Sequence, residues 1–208
     1  MTSEGKTQGQ AAREGAVPPL LERLKPEEAA AVLRRLLEAH PDLSSQTEEI
    51  ARSFLQQVEY EEVAAEMEDE IRALDYEVLK ERAGAQEWGY VEPAEAGCEI
   101  LEETVEPYLE EVKRHLELGL EAEALEICKG LVLGFYRLSQ REGGDVLGWV
   151  PDFPAEAAGN VLEVWHRGAG DSRGCDTRGK KRPPLPPEFL RLVPKWIPII
   201  ERVGKESK

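Results

Sequence analysis

The chain has 208 residues, of which 41% are hydrophobic and 33% charged, enough to bury a core and too apolar for global disorder. Its 26 Lys and Arg against 42 Asp and Glu leave a formal net charge of -16, which disfavours nucleic acid and anionic membrane as partners. Three cysteines cannot all pair within one chain, no secretory h-region opens it, and no apolar run approaches the ~20 residues of a membrane span, so the reading is a cytoplasmic protein.

Residues 1–16 are polar and without periodicity and read as a disordered tail. A helical domain is expected over residues 17–166. Val17-Pro18-Pro19 opens a short turn carrying Leu20, Leu21 and Leu24, and Pro26 suits the first position of a helix, with Glu27 and Glu28 at the positive end of its dipole. Ala29, Val32, Leu33, Leu36 and Leu37 form its stripe, and His40-Pro41 ends it. Leu43, Thr47, Ile50, Ala51, Phe54 and Val58 make a second helical face. Tyr60, Val63, Ala64, Met67, Ile71 and Leu74 make a third, and Asp75 can cap a short helix ending near Gly84.

Residues 84–92 read as a loop holding Trp88 and Tyr90. From Pro93 an apolar stripe keeps its phase across Pro107 as far as Gly119, so one kinked helix or two collinear ones are expected. Between Glu121 and Leu138 the apolar residues fall on two faces: Leu125, Cys128, Leu131, Val132, Phe135 and Leu138 on one, Ile127, Gly130 and Gly134 on the other. Two apolar faces mark a central helix, and the glycine spacing predicts close approach of a neighbour. A shorter helix is expected from Pro154 to His166, then a flexible basic loop over 167–187. In the C-terminal segment, 188–208, Pro194 and Pro198 cut an apolar stripe into turns that should dock on the body or on a partner. No long strand-like alternation occurs. The predicted fold is therefore all-α, with antiparallel helical hairpins forming a bundle or a short HEAT-like solenoid.

Charge is unevenly spread. Residues 59–126 hold 23 acidic and 5 basic side chains, net -18, whereas residues 167–182 hold six basic against two acidic, net +4. The acidic stretch reads as a solvated helical surface or as a surface for a basic partner. In the loop, Arg178, Lys180, Lys181 and Arg182 are candidates for partner binding, and could instead fold back on the acidic body. Trp88 and Tyr90 are the other candidates: aromatics flanking a glycine either plug the end of the bundle or stand outward as an interface anchor.

Catalytic constellations are missing. Glu99, Glu103, Glu106 and Glu110 share a face, but a di-iron bundle site needs inward glutamates and two Glu-x-x-His units, and Glu111 and His115 are four apart. His166, Asp171, Cys175 and Asp176 lack the paired spacing of structural zinc. Cys98 and Cys128 read as core thiols. There is no Walker A loop, GxGxxG, HExxH or GxSxG. No catalytic residue, metal or cofactor is predicted.

The segments LLEAHPDL (Leu36 to Leu43), GYVEPAEAG (Gly89 to Gly97) and LEICKGLVLGFYRL (Leu125 to Leu138) resemble uncharacterised bacterial all-helical proteins, related to helical regions accompanying SWIM-type zinc-finger proteins. The resemblance covers roughly residues 30–165 and implies a helical scaffold. The CxC and CxH pairs of that zinc finger are absent, so no metal or nucleic-acid site is implied. The expected function is a non-catalytic protein-interaction scaffold or adaptor. Its rivals are an enzyme with a metal site assembled from scattered Glu and His, and a nucleic-acid-associated regulator acting through the basic loop.

Overall fold

The computed structural model describes residues 20–86, 89–141, 146–171, 187–196, 198 and 200. The chain divides into two units, residues 1–52 and 53–208.

The first unit has a 3-10 turn (Leu21–Arg23), α1 (Pro26–Ala39), a second 3-10 turn (Pro41–Leu43) and the start of α2 (Ser44–Leu55). Pro26 opens α1, and the Glu28 carboxylate accepts the Lys25 N–H at 3.0 Å, reaching back to the helix start. Both helices have the expected amphipathic patterning, yet none of their residues is buried. Among residues 20–52 only Leu24, Leu37, Leu43 and Thr47 are half-buried. The stripe of Val32, Leu33 and Leu36 stays exposed.

The second unit holds the core. It contains α3 (Tyr60–Ala73), α4 (Tyr76–Arg82), β1 (Gly84–Gln86), β2 (Gly89–Val91), α5 (Pro93–Glu117), α6 (Glu121–Ser139), a 3-10 turn (Leu147–Trp149), α7 (Phe153–Asp171), α8 (Glu188–Leu192) and a last 3-10 turn (Pro194–Trp196). The architecture is an all-α bundle. Helix α6 is its centre, packed against α3, α5 and α7, and Cys128, Leu131, Val132 and Phe135 are fully buried. Its second face meets α3 through glycine. A methyl group at Gly130 would lie 2.6 Å from the Tyr60 carbonyl oxygen, and one at Gly134 would lie 2.5 Å from Met67 Cε. Both glycines thus permit a close helix crossing that a side chain would wedge apart.

Glu68, on α3, is buried beneath the same crossing and accepts hydrogen bonds from Arg72 and, at 3.2 Å, from Arg137 of α6. Asp75 caps α4 by accepting the Glu77 and Val78 N–H groups at 3.0 and 3.1 Å. Helix α5 runs unbroken through Pro107. The expected loop at 84–92 contains a two-stranded antiparallel ribbon, with Gly84 opposite Val91, Ala85 opposite Tyr90 and Gln86 opposite Gly89. At φ +91° and +149°, Gly84 and Gly89 adopt backbone that favours glycine.

Helix α7 continues five residues beyond the expected end at His166. Ala169 is buried, and Gly168 lets the Leu116 side chain approach to within 2.5 Å of its would-be Cβ, so packing on α5 outweighs the poor helix propensity of its glycines. The C-terminal segment inserts Phe189, Val193, Trp196 and Ile200 into the common core, with Trp196 edge-on to Tyr136 at 5.4 Å. Lys129 ties it down by pairing with Glu126 at 2.7 Å and Glu188 at 2.6 Å.

Candidate partner-binding site

Helices α5 and α7 lie side by side, and a groove of about 430 Å³ opens along their seam. On α5 it is lined by Cys98, Glu102, Val105, Glu106 and Leu109, which recur at helical spacing along one face. Phe153, Glu156, Ala157 and Asn160 of α7 complete it. Val105, Leu109 and Phe153 are buried and form an apolar floor, while Glu102, Glu106 and Glu156 are exposed at the rim.

The rim carboxylates differ in their engagements. Lys113 approaches Glu106 at 3.6 Å but sits closer to Glu110, at 2.6 Å. The Cys98 thiol lies 3.6 Å from Glu102 Oε1. Desolvation pushes the thiol's pKa up, and the negative charges of Glu102, Glu156 and Glu99 raise it further, so it is a poor nucleophile at neutral pH. Cys128 is buried and its thiol is raised by desolvation alone. An apolar floor under a negative rim accommodates an aliphatic stem with a cationic head, the anatomy of a lysine or arginine side chain.

A second cavity, about 510 Å³, lies toward the C-terminal ends of the same two helices and is lined by Lys113, Leu116, Glu117, Gly119, Val164, Arg167 and Gly168. Its polar lining carries both signs, so it lacks the uniform negative potential of the first.

The other sequence candidates are dispersed. Tyr90 stands on β2 and is 66% exposed, so it does not plug the bundle. Trp88, Arg178, Lys180, Lys181 and Arg182 lie outside the described residues, as do Cys175 and Asp176. Glu99, Glu103, Glu106 and Glu110 all face solvent on α5. Arg82 grips Glu103 through two 2.7 Å hydrogen bonds and holds its carboxyl below the usual range, joining α4 to α5. His115 is buried and donates from Nδ1 to the Glu111 carbonyl at 2.9 Å, and His166 is buried against the Trp165 ring at 5.1 Å. Among the described residues no group of three or more His, Cys, Asp or Glu is arranged to hold a metal ion, and no helix is long and apolar enough to cross a membrane.

The groove was not visible in the sequence, because its halves come from helices about fifty residues apart. Cys98-x-x-x-Glu102 on the edge of an apolar stripe was the available local signal. Comparison with protein-family models, with curated proteins and with solved structures finds no match for this chain.

Proposed function

We propose that the protein is a helical interaction adaptor whose α5–α7 groove receives a basic, amphipathic segment of a partner protein. The observation that carries this reading is the combination of Val105, Leu109 and Phe153 as floor with Glu102, Glu106 and Glu156 as rim. Burying lysine or arginine stems on that floor supplies apolar contact, and the carboxylates select cationic heads over neutral ones. The strongly acidic stretch at 59–126 adds long-range attraction that speeds encounter with such a partner.

The test is calorimetric titration of the full chain with a synthetic amphipathic peptide rich in lysine and leucine. Glu102→Lys with Glu156→Lys should weaken binding by roughly tenfold or more, whereas reversal of Glu61 and Glu62 on α3 should weaken it only slightly at moderate salt. Equal loss from both pairs would mean diffuse attraction to an acidic surface and would refute a dedicated groove.

A further inference from the structure

The exposed face of α1 poses a separate problem. Val32, Leu33 and Leu36 are 45%, 45% and 44% exposed, and they line up with Ala29 on one side of the helix. An amphipathic helix gains most of its stability from burying such a stripe, so a stripe left in water implies a missing partner. Charge narrows the choice. Residues 20–52 carry seven acidic and five basic side chains, net -2, in contrast to the -18 of residues 59–126. A second copy is therefore repelled far less here than across residues 59–126, and the apolar stripe itself contains no carboxylate to select a basic partner.

We propose that the apolar face of α1 is a self-association surface on which α1 of a second copy packs antiparallel. A two-fold axis between Val32 and Leu33 sets Val32 opposite the second copy's Leu33 and Ala29 opposite its Leu36, so the whole stripe is covered by itself. Glu28 and Arg35, seven residues apart, lie on one edge of the stripe. In the antiparallel arrangement the same edges meet, and each Glu28 comes within two residues' rise, about 3 Å along the axis, of the second copy's Arg35. Glu28 commits one oxygen, Oε2, to the Lys25 N–H, and Arg35 makes no ion pair among the described residues. The contact is thus complementary to itself in shape and in charge. It is independent of the α5–α7 groove and would make an adaptor bivalent.

Sedimentation equilibrium of the full chain across a concentration series reads the proposal directly. A monomer–dimer equilibrium is expected, and Leu33→Asp or Leu36→Asp should raise its dissociation constant roughly tenfold or more. Because an aspartate can also unfold α1, the charge pair supplies the second test. Glu28→Arg and Arg35→Glu should each weaken the dimer, and the two together in one chain should restore it to within about threefold, although the Lys25 contact stays lost. A chain that remains monomeric at all concentrations, including one whose α1 covers its own body, overturns the proposal. So does a dimer indifferent to Leu33→Asp, or a double charge variant no better than the singles.

Discussion

Replacing Gly130 with alanine probes the α3–α6 crossing on which the bundle is centred. The added methyl would lie 2.6 Å from the Tyr60 carbonyl oxygen and 2.7 Å from Val63 Cβ. Neither atom is the free end of a flexible side chain, so relief requires α3 to move. Overpacking of this kind costs about 1–3 kcal/mol, and the better helix propensity of alanine returns up to about 1 kcal/mol. A net loss of about 1–2 kcal/mol is expected. At Gly134 the nearest atom is Met67 Cε at 2.5 Å, a tip that can swing aside, with the Ala64 carbonyl oxygen next at 3.1 Å. The loss there should be under about 1 kcal/mol. Gly159, inside α7 with nothing within 4 Å of its would-be Cβ, is the control: alanine should stabilise by about 0.5–1 kcal/mol. Urea unfolding followed by far-ultraviolet circular dichroism measures all three. A Gly130→Ala variant as stable as Gly159→Ala would refute the close crossing.

Other expectations follow from the same packing. Glu68→Ala should cost about 1–3 kcal/mol in the same assay, because it strips Arg72 and Arg137 of a buried acceptor while both guanidiniums retain partial access to water. Lys129 holds the Glu188 carboxyl below its ordinary range, so that ion pair stabilises above the unfolded carboxylate pKa and is lost as pH falls through the lower folded one. Glu188→Gln should therefore lower the melting temperature at neutral pH, and the gap to wild type should close below about pH 4. Phe189→Ala should cost about 3–5 kcal/mol if the C-terminal segment is integral to the core, and protease susceptibility after α7 should rise with it. Thiol labelling of the folded chain should be slow at Cys98, accelerate with rising pH, and reach Cys128 only on unfolding.

Helical periodicity carried most of the architecture. Two apolar faces on residues 121–138 identified the central helix, and the glycines at 130 and 134 marked where a neighbour crosses it, because both signals are written within a single helix. The features it missed depend on distant residues or on very short elements. Three-residue strands have no alternation to detect, so the ribbon around Tyr90 read as a loop. Amphipathic patterning shows that α1 has an apolar face without showing what covers it, and Val32, Leu33 and Leu36 are exposed. The helix expected to end at His166 runs on to Asp171, carried by the contact of Gly168 with Leu116 on α5. The groove needed the pairing of α5 with α7, which no local pattern encodes.

The claim that the α5–α7 groove receives a basic segment is tested most directly by nuclear magnetic resonance titration of the full chain with the lysine–leucine peptide. The groove account predicts that the largest shifts fall on Cys98, Val105, Leu109, Phe153 and Ala157, and that Glu102→Lys with Glu156→Lys abolishes them. Shifts concentrated instead on the exposed acidic side of α3, around Glu61, Glu62 and Asp69, would contradict it.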